Sequence, residues 1–284
     1  MKINYKIIIY LLLLIILIPS IIYFFHFIYS KSFNSKTFKE TLDTSQKKIA
    51  ISFSGGGSNY YDALNRISKE LTQLNTFDEI IKIKDNDLKK DVEFWKIHGD
   101  FITNNKRGYG YWLWKPYIIL KQLNNMNEND ILVYLDSGCE VINDDTSFKN
   151  MNNLFDKCDE YTILYTLTSH DEKKYNKMDL IDNLNLNNDK IKNSGMIQGA
   201  VIFIKKNNTT MEFVKEWYAL SCNYHFIDDS PSILKNDDTF VEHRHDQAIF
   251  SLLLKTDKYK DTLYTDNNLL YDTSPIQISR KRNG

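Results

Sequence analysis

The sequence predicts an α/β fold, an open sheet flanked by helices with its functional residues at the strand ends, preceded by a transmembrane helix. Three stretches predict it. Ile131-Leu-Val-Tyr-Leu135 is too short for a globular helix and rich in strand formers, and it stops at Asp136-Ser-Gly-Cys-Glu140. That puts carboxylates at the carboxyl end of a buried strand, where open α/β sheets bind ligands. Lys48-Ile-Ala-Ile-Ser-Phe-Ser54 is a second strand, followed at once by Gly55-Gly-Gly-Ser58 and an amphipathic run. Finally, Ile7 to Tyr29 is uncharged and overwhelmingly apolar.

The apolar run comes first in the chain. At about 1.5 Å per residue it reaches roughly 35 Å, enough for the ~30 Å hydrocarbon core of a bilayer. It is longer than the apolar part of a cleaved signal peptide, and no A-x-A-like site follows. Residues 1–29 are therefore expected to be a single-pass membrane anchor. Lysines lie on both sides of it (Lys2 and Lys6 before, Lys31, Lys36 and Lys39 after), so the positive-inside rule does not choose an orientation. Residues 30–46 are polar and aperiodic, a stem, and residues 47–284 form the folded domain.

Whole-chain counts exclude some functions. Thirty-six basic residues balance 37 acidic ones, for a net charge of −1, so there is no basis for bulk nucleic-acid binding. Cys139, Cys158 and Cys222 have no CxxC spacing, which excludes a zinc ribbon or a disulfide framework.

Within the domain, Tyr60, Leu64, Ile67, Leu71 and Leu74 recur at helical spacing after the glycine turn. A ligand approaching the backbone there and a plain loop both fit the glycines. Residues 77–83 read as a strand, and 84–93 as a polar connection. Arg107-Gly-Tyr-Gly-Tyr-Trp-Leu-Trp-Lys115 follows, two tryptophans and two tyrosines between two cations. Rings beside cations suit a base or sugar face and a phosphate, while Trp112 or Trp114 can equally anchor the core. Pro116 suits the first turn of a helix reaching Leu123. A helix at 147–155, a strand at 161–166, an Asn-rich mobile loop at 169–193, a buried strand at 196–204 and a helix at 211–220 come next. Gln198 is the polar exception in its strand, and it must either be satisfied by backbone or face a ligand. In Glu242-His-Arg-His-Asp-Gln247, Asp246 is placed to cap an apolar helix starting at Ala248, and His243 or His245 suits a metal.

YWLWKP, a helix, LVYLDSGCE, the strand IQGAVIFIKK, a helix and HDQAIFSLL, in that order, resemble GT-A type glycosyltransferases. The order is similar to that of the glycogenin-like and lipooligosaccharide galactosyltransferases, and RGYGYWLWKP and HRHDQ to strings in viral and microbial proteins. The resemblance covers roughly residues 48–254. It implies a Rossmann-like single domain with a mixed, mostly parallel sheet, and transfer of a sugar from a nucleotide donor, UDP by default, to a glycan, protein or lipid acceptor. Position by position it implies donor contacts at Phe53, Ser54, Arg107, Trp114, Lys115, Gln198, Gly199 and Ala200. Asp246 and Gln247 fall beside the anomeric carbon. The family's D-x-D motif holds manganese; Asp136 matches its first acid, but Gly138 stands at the second. The implied ligands of a divalent metal are then Asp136, Glu140 and His245. Two other readings stay open: a fold-mate that binds nucleotide or glycan without turnover, and a Rossmann-like methyltransferase using the SFSGGG turn.

Overall fold

The computed structural model describes residues 45–264 and 275–282. The expected anchor, and the stem up to residue 44, lie outside the described residues. Among the described residues no helix is long and apolar enough to cross a membrane.

Seven strands are present among them: β1 (Lys48–Ser54), β2 (Glu79–Lys84), β3 (Ile131–Leu135), β4 (Glu140–Val141), β5 (Ile163–Asp171), β6 (Gly195–Lys205) and β7 (Ile276–Gln277). Five form the main sheet in the order β2-β1-β3-β6-β5, and β4 pairs with β7 alongside. β1 is parallel to β2 and β3, whereas β6 is antiparallel to β3 and β5. Only β6 opposes the other four, so the sheet is mixed and mostly parallel. Because β6 runs backwards, its amino end meets the carboxyl ends of β1 and β3 at one edge.

Helices cover both faces: α1 (Ser58–Leu74), α2 (Val92–Asn104), α3 (Trp114–Asn124), α4 (Asp145–Tyr161), α5 (Asn208–Ser221) and α6 (His245–Leu254). Burial on both faces explains why β3 is an unbroken apolar run. Leu132 and Tyr134 join the layer with Phe94, Ile118, Trp217 and Phe250, from α2, α3, α5 and α6. Ile131, Val133 and Leu135 join the opposite layer with Leu64, Ile67, Leu71, Met151 and Phe155, from α1 and α4. Each such aliphatic side chain contributes about 1.5–3 kcal/mol by leaving water. α6 is apolar nearly all round because it is buried nearly all round.

Two connections differ from expectation. The polar stretch after β2 is helical over Asp85–Lys90, anchored by one buried apolar side chain, Leu88, too little to give a periodic signal. The Asn-rich region is not an irregular loop. β5 extends to Asp171, and short helical turns occupy Glu172–Tyr175, Met178–Asn183 and Asp189–Lys192. A buried polar network pins it: Glu172 accepts from Lys255 (2.5 Å), Asn176 (2.6 Å) and Ser251, whose Oγ accepts from Ile197 N (2.7 Å). The contacts from Lys255, Ser251 and Ile197 are non-local, which is why the local pattern did not show them.

Candidate active site

At that sheet edge the β3 ladder continues one residue further, with Asp136 N–H donating to Ala200 O at 2.8 Å. Asp136 therefore sits opposite Ala200, the neighbour of Gly199 in β6. A Cβ on Gly199 would lie 3.6 Å from Gln247 Cβ and 3.7 Å from both Asp246 Oδ2 and Lys115 Nζ, ordinary contact distances that mark where α3 and α6 meet β6. Lys115 comes from the first turn of α3, Asp246 and Gln247 from the first turn of α6, Asp136 from the end of β3.

Lys115 is the hub. Its buried ammonium donates to Gly199 O at 3.1 Å and lies 2.9 Å from Asp246 Oδ2 and 3.4 Å from Asp136 Oδ1. The Asp246 contact is an ion pair off the line of a hydrogen bond. Tyr134 donates its hydroxyl to Asp136 Oδ1 at 2.6 Å, and its ring lies 5.0 Å from Lys115 Nζ. Burial opposes the Lys115 charge, but the two aspartates outweigh it and hold the ammonium above the ordinary lysine value. Burial pushes Asp246 up to about 6; Lys115 pulls back and Asp136 adds to the rise. Asp136 is the outward member, its side chain 38 % exposed. The arrangement is a buried acid and a solvent-facing acid held on one fixed cation.

Asp246 is not the expected cap. α6 begins at His245, and the cap residue Arg244 makes no side-chain capping bond. The Asp246 carboxylate is thereby left to Lys115, while its carbonyl accepts Trp217 Nε1 at 3.0 Å.

The aromatic loop is a left-handed turn. Gly108, Tyr109, Gly110, Tyr111 and Trp112 have φ of 57°, 54°, 85°, 53° and 60°. Left-handed geometry costs about 1–2 kcal/mol for each of the three non-glycine residues. Surrounding contacts hold it: Tyr111 N donates to Arg107 O (2.8 Å), and Trp114 Nε1 to Gly108 O (3.0 Å). The Arg107 guanidinium bridges Asp229 (3.1 Å) and Glu242 (2.9 Å). The Tyr111 and Trp112 rings stack on His245 at 4.9 and 5.3 Å. At Gly110 a Cβ would lie 2.6 Å from Ile102 Cγ1, so only glycine fits.

The expected donor contacts divide. Lys115 and Gly199 lie at the centre, Ala200 beside Asp136, and Gln198 is half-buried one residue before. Phe53 and Trp114 stack on each other at 3.8 Å within the core and so serve packing. Ser54 is buried at the end of β1, its hydroxyl without a partner among the described residues. Arg107 belongs to the clamp on Asp229 and Glu242, not to the Lys115 cluster.

The expected metal ligands are not brought together. Asp136 Oδ1 already faces Lys115 and Tyr134. Glu140 Oε1 accepts from Lys281 Nζ at 2.8 Å. His245 Nδ1 donates to Ile227 O at 2.7 Å, and its Nε2 lies 3.7 Å from Asp229 Oδ1, not from Asp136. Among the described residues no three His, Cys, Asp or Glu side chains are grouped to hold a metal. Residue type suggested the set; pairing within the fold disperses it.

Sequence reasoning missed Tyr134, whose hydroxyl was the one polar group in an aliphatic strand, and Asp229, which had no local signal. A cavity of about 590 Å³ lined by Lys177, Asp229, Ile233, Phe240 and Glu242 adjoins the Arg107 clamp and does not include the Lys115 cluster.

No protein-family model matches the chain, and no curated protein matches it. Among solved structures it is similar to the apo form of mouse xyloside xylosyltransferase 1, with a TM-score of 0.41 and 9% identity, covering 75% of this chain and 83% of that one. It is similar to the apo structure of the bifunctional glycosyltransferase WbbM (TM-score 0.41, 14% identity), covering 75% of this chain but 38% of WbbM. It is also similar to the galactosyltransferase LgtC in complex with donor and acceptor sugar analogues (TM-score 0.37, 12% identity; 83% and 84% covered). Likeness this distant leaves the functional reading to the residues of the site.

Proposed function

We propose that this chain is a GT-A type glycosyltransferase that moves a sugar from a nucleotide-diphosphate donor, UDP by default, to a hydroxyl of a glycan, protein or lipid. The observation that carries the reading is the pair of acids held on Lys115, whose ammonium also donates to Gly199 O. It puts a buried carboxylate, a solvent-facing carboxylate and a fixed cation at the edge where an α/β sheet binds ligands.

In the transfer, the bond from the anomeric carbon to the diphosphate oxygen breaks, and its electron pair leaves with the nucleoside diphosphate. A bond from the acceptor oxygen to the anomeric carbon forms, and the acceptor proton is released. Asp246, ionised above about pH 6, is the group suited to orient the acceptor hydroxyl and take its proton. Lys115 fixes that carboxylate in place and offsets charge growing on the leaving phosphate. Gln247 enters beside Asp246 and suits a sugar hydroxyl. Residues 1–29 would anchor the chain in a membrane as a single pass, with 30–46 as stem and 47–284 as the catalytic domain.

One observation favours a second reading, a binding protein without turnover: the ligands expected for a metal are dispersed. Asp136→Asn decides between the two. Nucleotide release from a donor sugar should fall at least about a hundredfold if the acid takes part in transfer. Unchanged nucleotide and glycan binding, with no turnover in the parent chain either, would select the binding protein.

A further inference from the structure

Arg280-Lys-Arg282 has no place in the chemistry so far, yet it is folded onto the acidic turn. The point where a second acid would leave the backbone at Gly138 is covered by this segment: a Cβ there would lie 3.3 Å from Arg280 Cα and 3.6 Å from Lys281 N. The segment is fixed by Lys281 N donating to Gly138 O (2.9 Å) and Ser279 Oγ to the same oxygen (3.2 Å). Arg66 Nη2 ties the two strands of chain together, donating to Ser137 O (3.1 Å) and Lys281 O (3.2 Å). Arg280 is exposed, at φ 56°, a left-handed non-glycine residue. Arg282 reaches the other way, its guanidinium 6.0 Å from the ring of Tyr60 in the first turn of α1. Lys115 approaches the same turn from inside. Asp136 thus has a fixed cation within 3.4 Å, and two residues further on, where a second carboxylate and a metal would have to fit, the backbone of an exposed basic segment packs on Gly138.

We propose, on the glycosyltransferase reading, that Arg280 and Arg282 bind the donor's diphosphate and, with Lys115, supply the positive charge in place of a divalent metal. Guanidinium forks match phosphate oxygens in pairs, and their planar geometry means that less freedom is lost per hydrogen bond formed. Lys281 serves differently: its ammonium holds Glu140 and its backbone pins the segment.

The test is calorimetric titration of the full chain, kept in detergent, with UDP, uridine and inorganic pyrophosphate, each in EDTA and in manganese. Arg280→Ser and Arg282→Ser are titrated beside it, with thermal melts to show that these exposed substitutions leave the fold intact. UDP and pyrophosphate should bind in EDTA within about threefold of their affinity in manganese. Each substitution should weaken both by about tenfold and leave uridine unchanged. A UDP affinity that collapses in EDTA, or variants that bind UDP like the parent, would overturn the proposal and leave the glycosyltransferase reading standing. Pyrophosphate binding that needs the arginines, with no nucleotide binding at all, would support the anion site and sink the glycosyltransferase reading. A chain that binds neither UDP nor pyrophosphate sinks both.

Discussion

Replacing Lys115 with methionine removes the cation that two aspartates share while keeping most of the side chain's volume. Its ammonium is buried, 2.9 Å from Asp246 and 3.4 Å from Asp136, and donates to Gly199 O at 3.1 Å. Asp246 is buried as well, so the variant strands a carboxylate inside the protein. Breaking a buried pair in this way costs about 3–5 kcal/mol. A folded unit this size loses about 2–4 °C of Tm per kcal/mol, so the melt should fall by about 6–20 °C. The loss should depend on pH in a definite direction. Asp246 already sits at about 6, and without Lys115 it rises further. A raised carboxyl favours folding below its unfolded value, and that contribution is lost as pH rises through the folded value. Lys115→Met should therefore be most destabilising near pH 8 and roughly half as destabilising near pH 5, where Asp246 takes a proton in its place. Urea or thermal melts of both proteins at the two pH values measure this. A loss below about 1 kcal/mol, or one equal at pH 5 and pH 8, would refute the view of Lys115 as the counter-charge of the site.

Other perturbations bear on separate parts of the account. Turnover should show an acidic limb near pH 6, falling about tenfold per pH unit below it as Asp246 is protonated, read from kcat/KM against pH. Gly110→Ala forces a Cβ to within 2.6 Å of Ile102 at φ 85° and should cost about 1–3 kcal/mol in a chemical melt; a neutral outcome would mean that the left-handed turn does not persist in solution. Arg107→Ala cuts two ion pairs that are more than a third exposed, so stability should change by less than about 1 kcal/mol and the change should shrink in high salt. Glu172→Gln leaves Lys255 buried without its carboxylate and should cost about 3–5 kcal/mol in the same melts, although it lies outside the candidate site.

Much of the scaffold was legible because its signals are local. The β1 and β3 strands, the helix after the glycine turn and the helix after the aromatic loop follow from periodicity and burial. The reversed β6 was not legible from its own residues, since an apolar run does not state its direction; the resemblance supplied a mixed sheet. Lys115, Gly199 and Asp246 were named as separate candidates, yet their meeting around one ammonium depends on β6 running backwards to present Gly199 at the edge. The expected metal ligands are not grouped among the described residues, for the opposite reason. Asp136, Glu140 and His245 are plausible ligands by type, but Lys281, Ile227 and Lys115 had already engaged them, and those partners lie up to 141 residues away. Nothing within Arg280-Lys-Arg282 announces that Gly138 leaves room for its backbone.

The central claim is that the cluster of Asp246, Lys115 and Asp136 carries sugar transfer from a nucleotide donor. Its most direct test is nucleotide release by the full chain from a panel of UDP- and GDP-sugars, with Asp246→Asn run in parallel. The account predicts release from one donor, lost by at least about a hundredfold in the variant while its melt stays cooperative. Release from no donor by a chain that binds UDP, or equal release by Asp246→Asn, would contradict it.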